Sequence, residues 1–138
     1  MTGINLERDS IRSTASPNFV TGFVATHKLS CCTAKFSRDG KYICTGSEDN
    51  SIKLLDVEKM KVFNHLSKDS DKHSKSYHPV IKTYYRHNDR VNDIDFHPIQ
   101  SLFCSASNDK TIQMFDISSS GKQAYKTFNV SLHFVLLL

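Results

Sequence analysis

Apolar and polar positions along this chain fall into short runs separated by turn residues. CTAKFS at 32–37 and VNDIDFH at 91–97 alternate in the manner of half-buried strands. YICTGS at 42–47 and LFCSAS at 102–107 follow them, rich in apolar and small residues. Turn chemistry breaks the first pair of runs from the second: SRDGK, with Asp-Gly, in one case and HPIQS, with Pro, in the other. SEDNS and SNDKT make the next break, and IKLLDV and IQMFDI close the two units. Each unit therefore predicts three short antiparallel strands joined by hairpins. A fourth strand is predicted after each, VIKTYYR at 80–86 and AYKTFNV at 124–130, and FVTGFVAT at 19–26 has the same pattern ahead of the first.

The two units are copies. Residues 26–57 align with 86–117 at an offset of sixty without a gap. His27/His87, Phe36/Phe96, Cys44/Cys104, Ser47/Ser107, Asp49/Asp109, Ile52/Ile112 and Asp56/Asp116 are identical pairs. Thr45/Ser105, Ser51/Thr111, Leu54/Met114 and Leu55/Phe115 exchange like for like, with the apolar positions in phase. Phe36 and Phe96 read as core between the two units.

Composition narrows the picture. The chain has 138 residues, enough for one modest domain, with 38% hydrophobic and 23% charged residues and no Trp. A formal charge of +4 permits contact with nucleic acid or an acidic partner, but without the Lys/Arg clustering that argues for direct binding. Cys31, Cys32, Cys44 and Cys104 form no CxxC pair, so a tetrahedral zinc site is not indicated. The charged opening INLERDSIRS does not read as a signal peptide, which points to a reducing compartment and free thiols. The longest apolar run, FVLLL, is far short of the roughly 20 residues of a membrane helix.

Two groups of residues invite a chemical reading. His87, Ser105 and Asp109, and equally His27, Thr45 and Asp49, carry the side chains of a hydrolase triad. Their occurrence twice in one chain favours a structural part, because an enzyme seldom needs its site in duplicate. Between Glu58 and Pro79 lies a lysine- and serine-rich insertion with His65, His73 and His78. It reads either as a solvated loop or as a contact for phosphate or an acidic partner, with Asp69 and Asp71 diluting Lys68, Lys72 and Lys75. No phosphate-binding Gly-rich loop, paired catalytic carboxylates or metal-ligand cluster stands out, so neither an enzyme nor a cofactor is expected.

A leading His, an Asp in the second turn and a terminal Leu-Asp or Phe-Asp, with 29 residues from His to the last Asp in both copies, resemble the WD40 repeat. That resemblance implies an all-β chain: two four-stranded antiparallel blades of an incomplete β-propeller. It implies that His27, Thr45, Asp49 and Leu55 form one structural tetrad and His87, Ser105, Asp109 and Phe115 a second, with Asp56 and Asp116 as the repeat-end Asp. Leu55 and Phe115 stand where the family usually has Trp, so each network would lack one N–H donor. WD40 repeats run roughly 40–45 residues, which marks the insertion as extra. The expected organisation is a disordered segment at 1–18, a first repeat with its preceding outer strand at 19–57, an insertion loop at 58–79, a second repeat at 80–130 and an atypical apolar tail at 131–138.

Within WD40 proteins, THKLSCCTAKFSRDGKYICTGSEDNSIKLLDVEKM, HPVIKTYY, RHNDRVNDIDFHP, SASNDKTIQMFDIS and KQAYKTF resemble the WD-repeat subunit family of the cleavage stimulation factor. The resemblance implies a non-catalytic scaffold in the nucleus, acting in pre-mRNA 3′-end cleavage and polyadenylation. Its partners would be the other subunits of that factor, above all the HAT-repeat subunit, and RNA would be contacted indirectly through the complex. MTGINLERDSIRST does not supply the helical homodimerisation segment of that family, and SLHFVLLL does not look like its next blade. Two blades alone would leave sheet faces uncovered. A generic WD40 adaptor, in ubiquitin ligation or signalling, is the competing expectation, and direct RNA binding by the insertion is a third.

Overall fold

The computed structural model describes residues 23–66 and 78–130. Eight strands and one helix follow in order: β1 (Cys31–Phe36), β2 (Tyr42–Ser47), β3 (Ile52–Asp56), α1 (Val57–Leu66), β4 (Val80–Tyr84), β5 (Val91–Phe96), β6 (Leu102–Ser107), β7 (Thr111–Asp116) and β8 (Lys126–Asn129). They form two four-stranded antiparallel meanders, β1-β2-β3-β4 and β5-β6-β7-β8. This is the two-blade, all-β architecture expected from the repeat.

The sixty-residue offset survives in backbone detail. A register shift lies between Cys31 and Thr33 in the first sheet and between Val91 and Asp93 in the second. The β2–β3 and β6–β7 turns place Asn50 (φ 65°) and Lys110 (φ 66°) in the left-handed region. Asn tolerates that conformation better than Lys, so the second turn carries more strain.

The sheets pack face to face, and the pleat decides which residues meet. In the first sheet Cys44, Ile52, Leu54 and Tyr84 turn toward the second, which answers with Val91, Ile94, Phe103 and Phe115. All eight are at most 1% exposed. Tyr84 fits against Phe103 and Phe115 at centroid distances of 5.5 and 4.8 Å, and those two rings stack at 4.9 Å. Lys82 reaches across the same interface to the carbonyls of Ile117 and Ser119. The sheets approach closely at Gly46: a Cβ there would lie 2.6 Å from Cγ1 of Val91.

Three expectations need correction. The insertion at 58–79 does not begin as a loop. It opens as α1, whose first turn is capped by Asp56 accepting from the Lys59 N–H at 3.1 Å, with Glu58 at the positive end of the helix. Helix-tolerant residues from Glu58 to Lys61 and the docking of Phe63 on Phe23 (5.3 Å, edge-on) outweigh the polar composition. Phe36 is not core: it points away from the second sheet and is 66% exposed, whereas its counterpart Phe96 is half-buried against Phe103. The strand expected at 19–26 is not formed over 23–26, which run as irregular chain. The disordered segment expected at 1–18, the rest of that strand, residues 67–77 of the insertion and the tail at 131–138 lie outside the described residues.

Candidate functional site

Each blade carries a polar network joining the segment that leads into its first strand to the tight turn after its second. In the second blade, His87 enters just before β5, Ser105 lies on β6 and Asp109 is in the β6–β7 turn. The His87 Nδ1 lies 2.8 Å from the Asp109 carboxylate and its Nε2 2.7 Å from the Ser105 hydroxyl. A carboxylate only accepts, so Nδ1 carries the proton and the Ser105 hydroxyl donates to Nε2. Asp109 also accepts from the Asn88 N–H at 3.0 Å, the Thr111 N–H at 2.9 Å and the Thr111 hydroxyl at 2.6 Å. Burial alone would push its carboxyl up, but the Thr111 hydroxyl, the Asn88 N–H and His87 together hold it below the usual carboxylate range.

The first blade has the same parts, with one hydroxyl interposed. His27 Nε2 meets the Thr45 hydroxyl at 2.8 Å, but Nδ1 meets Ser51 Oγ at 2.9 Å and stands 3.5 Å from Asp49. Ser51 donates in turn to Asp49 at 2.5 Å, so the order is Thr45, His27, Ser51, Asp49. Asp49 also accepts from the N–H groups of Lys28 (2.7 Å) and Ser51 (3.0 Å). Desolvation opposes its charge, yet these hydrogen bonds win and set its carboxyl far below the ordinary value. Desolvation, aided by Lys53, lowers His27 despite the pull of Asp49.

The fourth position of each expected tetrad does not join the hydrogen bonding. Leu55 and Phe115 are both buried, and Phe115 belongs to the aromatic cluster between the sheets. The repeat-end aspartates serve local turns: Asp56 caps α1, and Asp116 accepts from the Ser118 N–H and hydroxyl, which hold its carboxyl low.

Five residues of these networks lay outside the sets picked out from the sequence. Ser47 and Ser107 accept from the Asp49 and Asp109 N–H groups, each at 3.1 Å, and donate to the carbonyls of Leu29 and Asp89. Ser51 bridges Asp49 to His27, whereas Thr111 donates to Asp109 beside the direct contact of Asp109 with His87. Their signal was present, since both positions keep a hydroxyl in both copies. Gln113 had no such signal: its amide N–H groups lie on the Arg86 carbonyl (3.1 Å) and beside His87 (3.4 Å).

Ser105 is fully buried and His87 is 5% exposed, so the hydroxyl–imidazole pair faces the interior of the protein rather than a cleft. Among the described residues, no group of three His, Cys, Asp or Glu side chains could hold a metal ion. No helix among them is long and apolar enough to cross a membrane.

Residues 18–56 and 79–116, more than half of the chain, match the WD40 family, described as WD domain, G-beta repeat. The chain is 36% identical over 113 residues to cleavage stimulation factor subunit 50 of Arabidopsis thaliana, covering 81% of this chain and 25% of that protein. It is 37% identical over 75 residues to histone acetyltransferase type B subunit 2 of Schizosaccharomyces pombe, covering 54% of this chain and 16% of that protein. Over 99 residues it is 31% identical to nuclear distribution protein nudF of Aspergillus niger, 72% of this chain and 18% of that one. It thus spans a quarter or less of the length of these relatives. Two meandering four-stranded sheets, repeated at a fixed offset, with the first three strands of each inside one matched segment, make this chain a member of the WD domain, G-beta repeat family.

Proposed function

We propose that this chain is part of a non-catalytic WD40 scaffold subunit of the cleavage stimulation factor, acting in the nucleus in pre-mRNA 3′-end cleavage and polyadenylation. The observation that carries this reading is the 36% identity to cleavage stimulation factor subunit 50 across 81% of the chain, a stretch that spans both blades. Fold alone would not support it, because WD40 blades serve many assemblies through protein–protein contact. The HAT-repeat subunit of the same factor is the expected direct partner. RNA is reached through the complex, whose RNA-recognition subunit reads the U/GU-rich element downstream of the cleavage site.

In this reading the His-centred networks are staples. The His87–Ser105–Asp109 set, with Thr111, and the His27–Thr45–Asp49 set, with Ser51, clamp the lead-in of each first strand to the turn between the second and third. A buried hydroxyl that no substrate can reach suits this role and not nucleophilic catalysis.

A second reading, a general WD40 adaptor in another assembly, draws on the likeness to histone acetyltransferase type B subunit 2 and nudF. Affinity purification of the tagged chain from nuclear extract separates the two. Enrichment of the HAT-repeat subunit, with nuclear fluorescence of the tagged chain, is the expected result. Enrichment of a histone acetyltransferase instead, or exclusion from the nucleus, would overturn the first reading.

A further inference from the structure

At the end of the sheets where β1 turns into β2 and β5 into β6, the two turns stand side by side and enclose a groove of about 120 Å³. We propose that this groove docks a short acidic segment of a partner protein, seating one of its aliphatic side chains. The proposal deepens the scaffold reading above and rests on it.

The floor is apolar. Tyr42, Phe96 and Ile117 line it, half-buried against the core between the sheets. Ile99 stands at the rim with 88% of its surface in water. A lone exposed aliphatic residue needs no explanation, but one at the mouth of an apolar groove supplies the missing wall for an incoming side chain. A volume of about 120 Å³ suits one such side chain rather than a drug-sized ligand.

The rim carries one arginine and several hydrogen-bond donors. Arg38 is exposed and has no ion-pair partner among the described residues. Asp39, the carboxylate in the lining, is already engaged: it accepts from the Ser37 hydroxyl at 2.7 Å and the Lys41 N–H at 3.1 Å and lies 3.6 Å from the Lys41 amino group. His97 Nδ1 accepts from the N–H groups of Ile99 (3.2 Å) and Gln100 (2.8 Å). An imidazole with Nδ1 accepting carries its proton on Nε2, so His97 offers one more N–H. A carboxylate beside an aliphatic side chain complements this arrangement, whereas a basic segment would meet Arg38 uncompensated.

Both turns are also held before any ligand arrives. Gly40 (φ 70°) closes the first turn by donating its N–H to the Ser37 carbonyl, and Ser37 Oγ accepts from the Tyr42 N–H. His97 braces the second from within. Walls already ordered spare the ordering cost of binding. An RNA strand fits less well, because phosphate binding draws on several unpaired cations and this rim has one arginine.

The test titrates a fluorescein-labelled peptide of alternating glutamate and leucine with the full 138-residue chain, following anisotropy. Saturable binding is expected, weakened roughly tenfold or more by Arg38→Glu and by Ile99→Asp, since each removes one half of the recognition. Arg86→Glu makes the same charge change at the opposite end of the sheet and is expected to leave binding within about twofold. Both Arg38 and Ile99 are exposed, so unchanged unfolding transitions should accompany the loss. The proposal is overturned if Arg86→Glu weakens binding as much as Arg38→Glu, if a serine–leucine peptide binds equally well, if labelled oligouridylate binds through Arg38 more tightly than the peptide, or if binding never saturates. A chain that fails these titrations yet still co-purifies with the HAT-repeat subunit overturns the groove and leaves the scaffold reading standing.

Discussion

Replacing Gly46 with alanine is the sharpest test of how the blades meet. The added Cβ would lie 2.6 Å from Val91 Cγ1, 3.1 Å from Ile94 Cδ1 and 3.0 Å from Thr33 Cγ2. Carbon atoms rest at roughly 3.5–4.0 Å, so the overlap with Val91 is about 1 Å. Val91 and Ile94 are both 0% exposed, and Val91 is short and branched, so neither can swing into water. The sheets must part slightly, at a cost of about 1–3 kcal/mol for overpacking. Alanine restricts the unfolded chain more than glycine, which returns roughly 0.4–1 kcal/mol. The net destabilisation therefore spans roughly 0–2.6 kcal/mol, and each kcal/mol lowers the melting temperature of a chain this size by a few degrees. Thermal and urea unfolding followed by circular dichroism would measure it. Val91→Ala supplies the second arm of a double-mutant cycle: alone it forfeits two buried methyls, roughly 1.6 kcal/mol plus a cavity term, but beside Gly46→Ala it also removes the clash. A favourable coupling of about 0.5–3 kcal/mol is expected. A clearly stabilising Gly46→Ala, or strict additivity with Val91→Ala, would refute this account of the interface. The second copy makes the comparison within one molecule: Ala106 holds the equivalent register, between Asp93 and Ile112 as Gly46 is between Thr33 and Ile52.

Three further outcomes follow from the polar interior. Ser105→Ala leaves His87 Nε2 buried without its partner and should cost about 1–3 kcal/mol in urea unfolding, with the secondary structure retained; a change within noise would show that the network does not hold the blade. Tyr84 is 1% exposed and its hydroxyl meets no hydrogen-bond partner among the described residues, so Tyr84→Phe should raise the melting temperature, by the equivalent of roughly 1 kcal/mol; a drop would mean that the hydroxyl is satisfied. Acid should destabilise the chain over two pH windows. Folded-state values below the ordinary ones mean that the unfolded chain binds more protons, so stability falls with pH. The His27 contribution is complete above about pH 6.5 and lost as pH drops through its lower folded value, and those of Asp49 and Asp109 are complete above about pH 4 and lost below it. A urea midpoint that stays level from pH 7 to pH 3 would contradict the assignment (pH range set by the ordinary values, roughly 6.5 and 3.9).

Much of the fold was legible in the sequence because its signals are local and doubled. Period-two alternation and Asp-Gly or Asn-containing turns define hairpins over a few residues. The ungapped offset of sixty then requires whatever the first unit forms to recur in the second. His27, Thr45 and Asp49, and their partners sixty residues on, could be picked out on the same ground. The helix at Val57–Leu66 was hidden by composition: lysines and serines further along the insertion suggested a loop, while the decisive cap by Asp56 is one hydrogen bond.

What the tertiary structure alone decided is which side of each sheet is covered. Phe36 and Phe96 are the same residue in the same register, yet one lies in water and the other against Phe103, because only the second has a sheet packed over its face. Leu55 and Phe115 likewise occupy one repeat position, and only Phe115 enters the aromatic cluster with Tyr84. Whether Ser51 stands between histidine and aspartate, or Thr111 stands aside and lets them meet at 2.8 Å, is a matter of tenths of an ångström in turns that read alike. The groove beneath Arg38 and Ile99 belongs to neither repeat and exists because two turns sixty residues apart are brought together. Strand pattern and repeat are properties of neighbours along the chain, and sequence determines them. Burial, hydrogen-bond distance and grooves are properties of neighbours in space, and they arise only when the sheets pack.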